Sequence, residues 1–209
     1  MIEICEIFGP SIQGEGPFAG RVCSFIRTSL CLAPFCSFCD SKYSWERGEQ
    51  MEVQDIVNAI KSHGTNLVVI TGGEPYLQKD LHKLIRVLLD NKYQVQIETS
   101  GKVDFDKVGG EYVVCSPKIY NNKLTFNGKV HSVQDFKFVI TKENDIKKIN
   151  EFAEKNNIHY NDIWLMPLTT YDDETDKQLK ELTAKLCIEN KYNYSPRLHI
   201  DIWGQKRGV

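Results

Sequence analysis

The chain has 209 residues, 41% of them apolar, with 26 basic and 28 acidic side chains and a formal charge of -2 at pH 7. That length buries a substantial core in one domain, and the near-neutral balance gives no electrostatic case for a nucleic-acid partner or a membrane surface. No apolar run is long enough to span a bilayer. The opening Met1–Phe8 carries acids where a signal peptide carries bases, and seven cysteines are an odd count for disulfides. A reducing, cytoplasmic setting is therefore expected.

In chain order, residues 3–8 alternate loosely as a short strand. Residues 9–17, with three glycines and two prolines, follow as a loop with special backbone needs. Residues 22–28 form a strand carrying Arg27 near its end. Residues 53–62 place Val53, Ile56, Val57 and Ile60 at helical spacing. Leu67–Ile70 is a continuous apolar run, the mark of a strand buried on both faces, and ends in Thr71-Gly72-Gly73-Glu74-Pro75. A helix is predicted over 77–90, with Leu81, Leu84, Ile85, Leu88 and Leu89 as its apolar stripe.

The pattern then repeats. Strands are predicted at 95–97, ending in Glu98–Gly101, and at 112–115, ending in Ser116-Pro117-Lys118. Residues 117–135 show no helix and suit a hairpin or a loop. A strand at 136–140 leads to a helix over 143–156. A strand at 163–166 ends in Pro167–Thr170, and a helix over 173–190 starts at an N-cap, Asp172 or Thr170. A last strand is expected at 197–202, before Trp203–Val209. No Pro, Gly or Ser-rich linker divides the chain, so residues 1–209 form a single domain. Strands alternating with helices imply βαβ units. About six strands, fewer than the eight of a closed barrel, predict an incomplete, open TIM-like βα barrel of mostly parallel strands. The polar segments 71–75, 98–101, 116–118 and 166–170 all follow strand C-termini, the end of a parallel sheet where sites are built.

The densest chemistry lies in the loop after the second strand, where Cys31, Cys36 and Cys39 fall within nine residues. Three thiolates suit a cluster of four irons that leaves one iron free. The same loop also admits a zinc knuckle completed by Cys23, Cys5 or a histidine, since a closed zinc site takes four ligands. Cys5, Cys23, Cys115 and Cys187 sit in apolar patterns and suit small core positions. Arg27, just before the loop, offers a guanidinium fork that matches a carboxylate.

With the cysteine loop and Thr71–Pro75 together, the chain resembles the radical S-adenosylmethionine (SAM) superfamily, although its C-x4-C-x2-C spacing is one residue longer than that superfamily's C-x3-C-x2-C. Glu6–Gly16, Arg27, Cys39-Asp40-Ser41, Glu98–Gly101, Ser116–Lys118 and Trp203–Val209 narrow the resemblance to the 7-carboxy-7-deazaguanine synthase (QueE) family, over nearly the whole chain. The resemblance implies conversion of 6-carboxy-5,6,7,8-tetrahydropterin to 7-carboxy-7-deazaguanine with loss of ammonia, on the route to queuosine and related deazapurines. It implies a [4Fe-4S] cluster, SAM and Mg2+ as cofactors, with SAM cleaved by one electron to a radical that abstracts a substrate hydrogen. It implies Cys31, Cys36 and Cys39 as cluster ligands and Ser41 as a Mg2+ ligand. SAM would be held by Phe38, Cys39, Asp40, Gly73, Glu74, Ser116, Pro117, Lys118, Met166, Pro167, Leu168 and Thr169, the last four lacking the glutamine common there. The pterin would be held by Ile12, Gln13, Gly14, Glu15, Arg27 and Thr71. A flavodoxin or ferredoxin as electron donor and a homodimer complete what the resemblance implies. Other classes that the loop admits are a small radical SAM activase acting on a partner protein and a zinc-binding module.

Overall fold

The apolar run at Leu67–Ile70 sends Val68 and Ile70 into one core and Leu67 and Val69 into another. A strand covered on both faces belongs inside a parallel sheet, and the structure, a computed structural model describing residues 1–120 and 123–209, builds outward from it. Residues 121–122, within the stretch 117–135, lie outside the described residues. The strands are β1 (Ile2–Ile12), β2 (Val22–Thr28), β3 (Glu49–Met51), β4 (Leu67–Gly72), β5 (Gln94–Thr99), β6 (Tyr112–Cys115), β7 (Lys118–Tyr120), β8 (Lys123–Thr125), β9 (Asp135–Ile140), β10 (Ile163–Pro167) and β11 (Asn193–Tyr194). The helices are α1 (Val53–Lys61), α2 (Leu81–Asp90), α3 (Asp145–Asn156), α4 (Asp173–Asn190) and α5 (Leu198–Trp203).

One nine-stranded sheet runs β11-β10-β9-β6-β5-β4-β2-β1-β3, and β7 and β8 pair separately as an antiparallel hairpin. From β2 to β11 every neighbouring pair is parallel, and β1 joins β2 and β3 antiparallel at one edge. The sheet is the open, incomplete βα barrel expected, with two very short strands at its edges. Those strands, three and two residues long, bring the sheet from seven strands to nine. They are too short to carry an alternation pattern.

Helices cover the outer face. Leu81, Leu84, Ile85 and Leu88 of α2 and Ile56, Val57 and Ile60 of α1 are buried against Val68, Ile70, Val95 and Ile97. Each such side chain contributes about 1.5–3 kcal/mol on burial. Beyond β6, Ile149 and Ala153 of α3 and Leu186 and Cys187 of α4 pack on Phe136, Phe138, Ile163 and Leu165. Cys23, Cys115 and Cys187 are buried as expected, whereas Cys5 is only half-buried. Asp172 is the N-cap of α4, its Oδ1 accepting from Thr175 N at 2.9 Å.

Three boundaries and one element type differ from expectation. Residues 9–12, expected in a loop, continue β1: the register slips between Phe8 and Ser11, so Gly9-Pro10 forms a bulge within the strand. Proline lacks the N–H of a regular ladder and is tolerated at bulges, which is why punctuation residues looked like a turn. The predicted helix over 77–90 begins at Leu81 and that over 143–156 at Asp145. The expected strand at 197–202 is the helix α5, and the last strand is Asn193–Tyr194. Its alternating Leu198, Ile200 and Ile202 mimic a strand, but Ile200 N and Asp201 N bond back to Arg197 O, so the segment turns instead of pairing.

Candidate active site

Within β5 and β9 the side chains alternate between the two faces. Val95 and Ile97, and Phe136, Phe138 and Ile140, point to the helices. Gln96, Glu98 and Lys137 therefore point to the inner face of the open barrel. There the strand ends, the cysteine loop and residues 204–209 enclose a cleft of about 500 Å³.

The cleft gathers most of the sequence-predicted set. Ile12, Gln13, Gly14, Glu15, Arg27, Cys31, Cys36, Phe38, Cys39, Asp40, Ser41, Thr71, Gly73, Ser116, Lys118, Met166 and Leu168 all line it. Pro117, Pro167 and Thr169 do not, because alternate residues of these strand ends face away. Nor does Glu74: its side chain is fully buried, accepting from Thr99 Oγ1 at 2.6 Å, Ser100 N at 2.9 Å and Ser100 Oγ at 2.5 Å. Its carboxylate ties the end of β4 to the end of β5. The glycines beside it answer to packing as much as to a ligand. Gly72 has φ +125°, and a Cβ on Gly73 would lie 1.9 Å from Leu30 O.

At the floor lies a charge network. Lys137 Nζ sits 2.7 Å from Glu15 Oε2 and 2.8 Å from Glu98 Oε2, with its side chain only 4% exposed. Gln13 Nε2 donates to Gln96 Oε1 at 3.0 Å, and Gln96 Nε2 donates to Glu98 Oε1 at 2.8 Å. Gln13 also uses its backbone, donating to Arg21 O and accepting from Gly20 N. It thus braces the network more than it presents free groups. Arg197 Nε lies 3.3 Å from Glu15 Oε1, and its Nη2 bonds Asp40 Oδ2. Burial pushes the Glu15 carboxyl up, but Lys137 and Arg197 outweigh it and hold it well below the usual range. Glu98 ends up raised, because burial outweighs Lys137 and Glu15 adds repulsion. Burial alone would lower Lys137, but its two carboxylates raise it. The two carboxyls of this one network are thus pushed in opposite directions, Glu15 down and Glu98 up.

At the rim, Arg27 Nε donates to Glu6 Oε1 at 2.7 Å and its Nη1 to Ser41 Oγ at 3.2 Å. Its Nη2 has no protein hydrogen-bond partner among the described residues. Ser41 Oγ donates to Asp40 Oδ1 at 2.9 Å, leaving a lone pair of the hard type that Mg2+ takes. Burial opposes ionisation of Glu6, but Arg27 holds its carboxyl below the usual range.

Among the described residues, one set of three metal-type ligands converges within 4.8 Å: Glu15, Asp40 and His199. The Arg197 guanidinium already bridges its two carboxylates. The cysteine sulfurs form no such tight group. A zinc ion with sulfurs at 2.3 Å would draw them to about 3.8 Å of one another, whereas a four-iron cluster spreads its thiolates over separate irons. Three thiolates lining one cleft suit such a cluster with one iron left free. Burial pushes the Cys31 and Cys39 thiols up, so metal uptake must displace their protons.

Sequence reasoning missed Lys137, Arg197 and His199 as cleft residues, and Gln96, fully buried beneath the cleft, as part of the network under it. A lysine in the middle of the apolar strand Phe136–Ile140 was the available signal; Arg197 and His199 were hidden by the wrong strand assignment.

A partial βα barrel with three cysteines in the loop after its first parallel strand is the architecture of radical SAM enzymes, and the sequence model of the radical SAM superfamily matches residues 26–193. The chain is 35% identical to the 7-carboxy-7-deazaguanine synthase of Hyperthermus butylicus, over 96% of this chain and 92% of that one. It is 30% identical to that of Bacillus subtilis, over 100% and 98%. The crystal structure of QueE from Escherichia coli superposes with a TM-score of 0.75 at 26% identity, covering 93% of this chain and 92% of that one. The chain belongs to the 7-carboxy-7-deazaguanine synthase family of radical SAM enzymes.

Proposed function

We propose that this chain converts 6-carboxy-5,6,7,8-tetrahydropterin to 7-carboxy-7-deazaguanine and ammonia, using a [4Fe-4S] cluster, SAM and Mg2+. The observation that carries the reading is full-length relatedness to synthases of that name combined with one cleft holding three cysteines, an arginine with an unpartnered edge and a buried carboxylate pair. When bound, the cluster and SAM supply one-electron cleavage and hydrogen abstraction.

The chain's own residues do the rest. Cys31, Cys36 and Cys39 hold the cluster. Phe38, Asp40, Gly73, Ser116, Lys118, Met166 and Leu168 orient SAM, and Ser41 offers its hydroxyl to Mg2+. Arg27 presents its Nη2 edge to the substrate carboxylate. Ile12, Gly14, Glu15 and Thr71 line the pterin side, with Gln13 fixing Glu15 and Glu98. Glu98 holds or accepts a proton as the ring is remodelled. Lys137, locked between Glu15 and Glu98, keeps charge fixed in a space largely closed to water. Glu74, Pro117, Pro167 and Thr169 shape the strand ends from behind. The reading carries with it a single domain, a homodimer, a cytoplasmic setting and a low-potential flavodoxin- or ferredoxin-type electron donor. No helix among the described residues is long and apolar enough to cross a membrane.

The test is anaerobic turnover of reconstituted protein with SAM, reductant, Mg2+ and 6-carboxytetrahydropterin, read by mass spectrometry. Appearance of the carboxydeazaguanine is expected. Formation of 5′-deoxyadenosine without it would keep the radical SAM class and discard the substrate.

A further inference from the structure

Two residues from outside the cysteine loop reach into its longer arm. Lys102 follows β5, and Tyr120 ends β7 in the separate hairpin. Lys102 Nζ lies 3.3 Å from Leu32 O, 2.6 Å from Pro34 O and 3.3 Å from Tyr120 Oη. Those three contacts use all three ammonium hydrogens. Both carbonyls belong to the four residues between Cys31 and Cys36, the segment with the extra residue. The next residue of the arm, Phe35, is stacked on Trp45 with ring centroids 4.4 Å apart.

The Tyr120 hydroxyl stands 2.7 Å from Pro34 O and 3.2 Å from Cys36 Sγ. It has one proton for two acceptors. Lys102 already donates to Pro34 O, so that carbonyl does not depend on the phenol. A thiolate carries more negative charge than a carbonyl, and hydrogen bonds to charged acceptors are the stronger ones. Once Cys36 is a metal-bound thiolate, the proton is directed to sulfur.

We propose that Lys102 and Tyr120 are positioning residues for the iron–sulfur cluster: together they clamp the four-residue arm, and the Tyr120 hydroxyl donates to the Cys36 ligand sulfur so as to raise the cluster's reduction potential. A hydrogen bond to a ligand sulfur stabilises the more electron-rich reduced state, and the Lys102 cation acts in the same direction. The one-electron step itself is unchanged: a low-potential donor protein is oxidised by one electron and the cluster is reduced by one. The inference rests on Cys31, Cys36 and Cys39 carrying that cluster.

The test uses the full chain reconstituted anaerobically. Tyr120→Phe removes one oxygen and keeps the ring, whose centroid lies 4.7 Å from Lys102 Nζ. Iron and sulfide content are expected to match the wild type. A redox titration followed by electron paramagnetic resonance should place the variant's midpoint more negative, so that at a fixed solution potential the ratio of reduced to oxidised cluster falls about fivefold. A fluorotyrosine at position 120, a stronger donor, should move the midpoint the other way, and it provides the test if Tyr120→Phe fails to load. Iron release to a chelator should be severalfold faster in Lys102→Met. Unchanged midpoints in loaded chains would overturn the sulfur-directed hydrogen bond, and an unchanged release rate would overturn the clamp. A wild-type chain that takes up no iron or sulfide would overturn the cluster assignment itself, and this inference with it.

Discussion

Replacing Lys137 with methionine would keep most of its volume and remove the one cation that two buried carboxylates share. Glu15 Oε2 and Glu98 Oε2 each lie under 3 Å from Lys137 Nζ. They are thus less than about 6 Å apart, and at an effective dielectric of about 20 two charges at that distance repel by about 3 kcal/mol. Breaking a buried pair by deleting one partner costs about 3–5 kcal/mol, which for a chain of this length lowers the melting temperature by about 10 °C. The loss should depend on pH with a definite sign. Glu98 is already raised by burial, and loss of Lys137 raises it further. A carboxyl raised in the folded state binds its proton more tightly folded than unfolded. Stability therefore falls as pH rises from the unfolded carboxyl value through the folded one. Arg197 still pairs with Glu15, so Glu98 is the group that protonates. Thermal unfolding of reconstituted Lys137→Met should show a larger loss against wild type at pH 8 than at pH 6. Adding Glu98→Gln should recover much of the loss at pH 8. An equal loss at both pH values, or no recovery in the double variant, would refute the shared-cation argument.

Arg27→Ala should weaken pterin binding by about 1.5–3 kcal/mol, roughly 10- to 100-fold in Kd, with a much smaller effect on SAM. Calorimetry with each ligand checks it, and equal losses would remove the assigned role. Cys36→Ala should assemble no [4Fe-4S] cluster, measured as iron and acid-labile sulfide; a variant with full iron and full turnover would refute the ligand set. Ser41→Ala should raise the Mg2+ concentration needed for half-maximal turnover, and an unchanged metal dependence would argue against coordination at its hydroxyl.

Much of the site was legible because its parts are local in the chain. The cysteine spacing, Thr71–Pro75 and Ser116–Lys118 are short motifs, each just after an apolar strand, and parallel topology brings such ends to one face whatever the details of packing. The helices α1 and α2 were legible for the same kind of reason: their apolar spacing matches the helical period and needs no partner to be recognised. What failed was non-local. Glu74 sits in the motif and looks like a ligand-binding residue, yet Thr99 and Ser100, brought alongside by β5, take its carboxylate.

The amino-acid sequence by itself determined the open βα barrel, the position of the metal loop and the strand ends that form the cleft, because periodicity and short motifs act over neighbouring residues. Only the tertiary structure decided the contents of the floor. Glu15, Glu98 and Lys137 are separated by as many as 122 positions along the chain, and a charge is stabilised in a buried space only where another element delivers its counter-charge. The same holds for α5. Residues 198–203 alternate like a strand, but Ile200 N and Asp201 N bond back to Arg197 O, and the backbone closes into a helix that carries His199 against Gly14, with Arg197 at its start paired to Glu15.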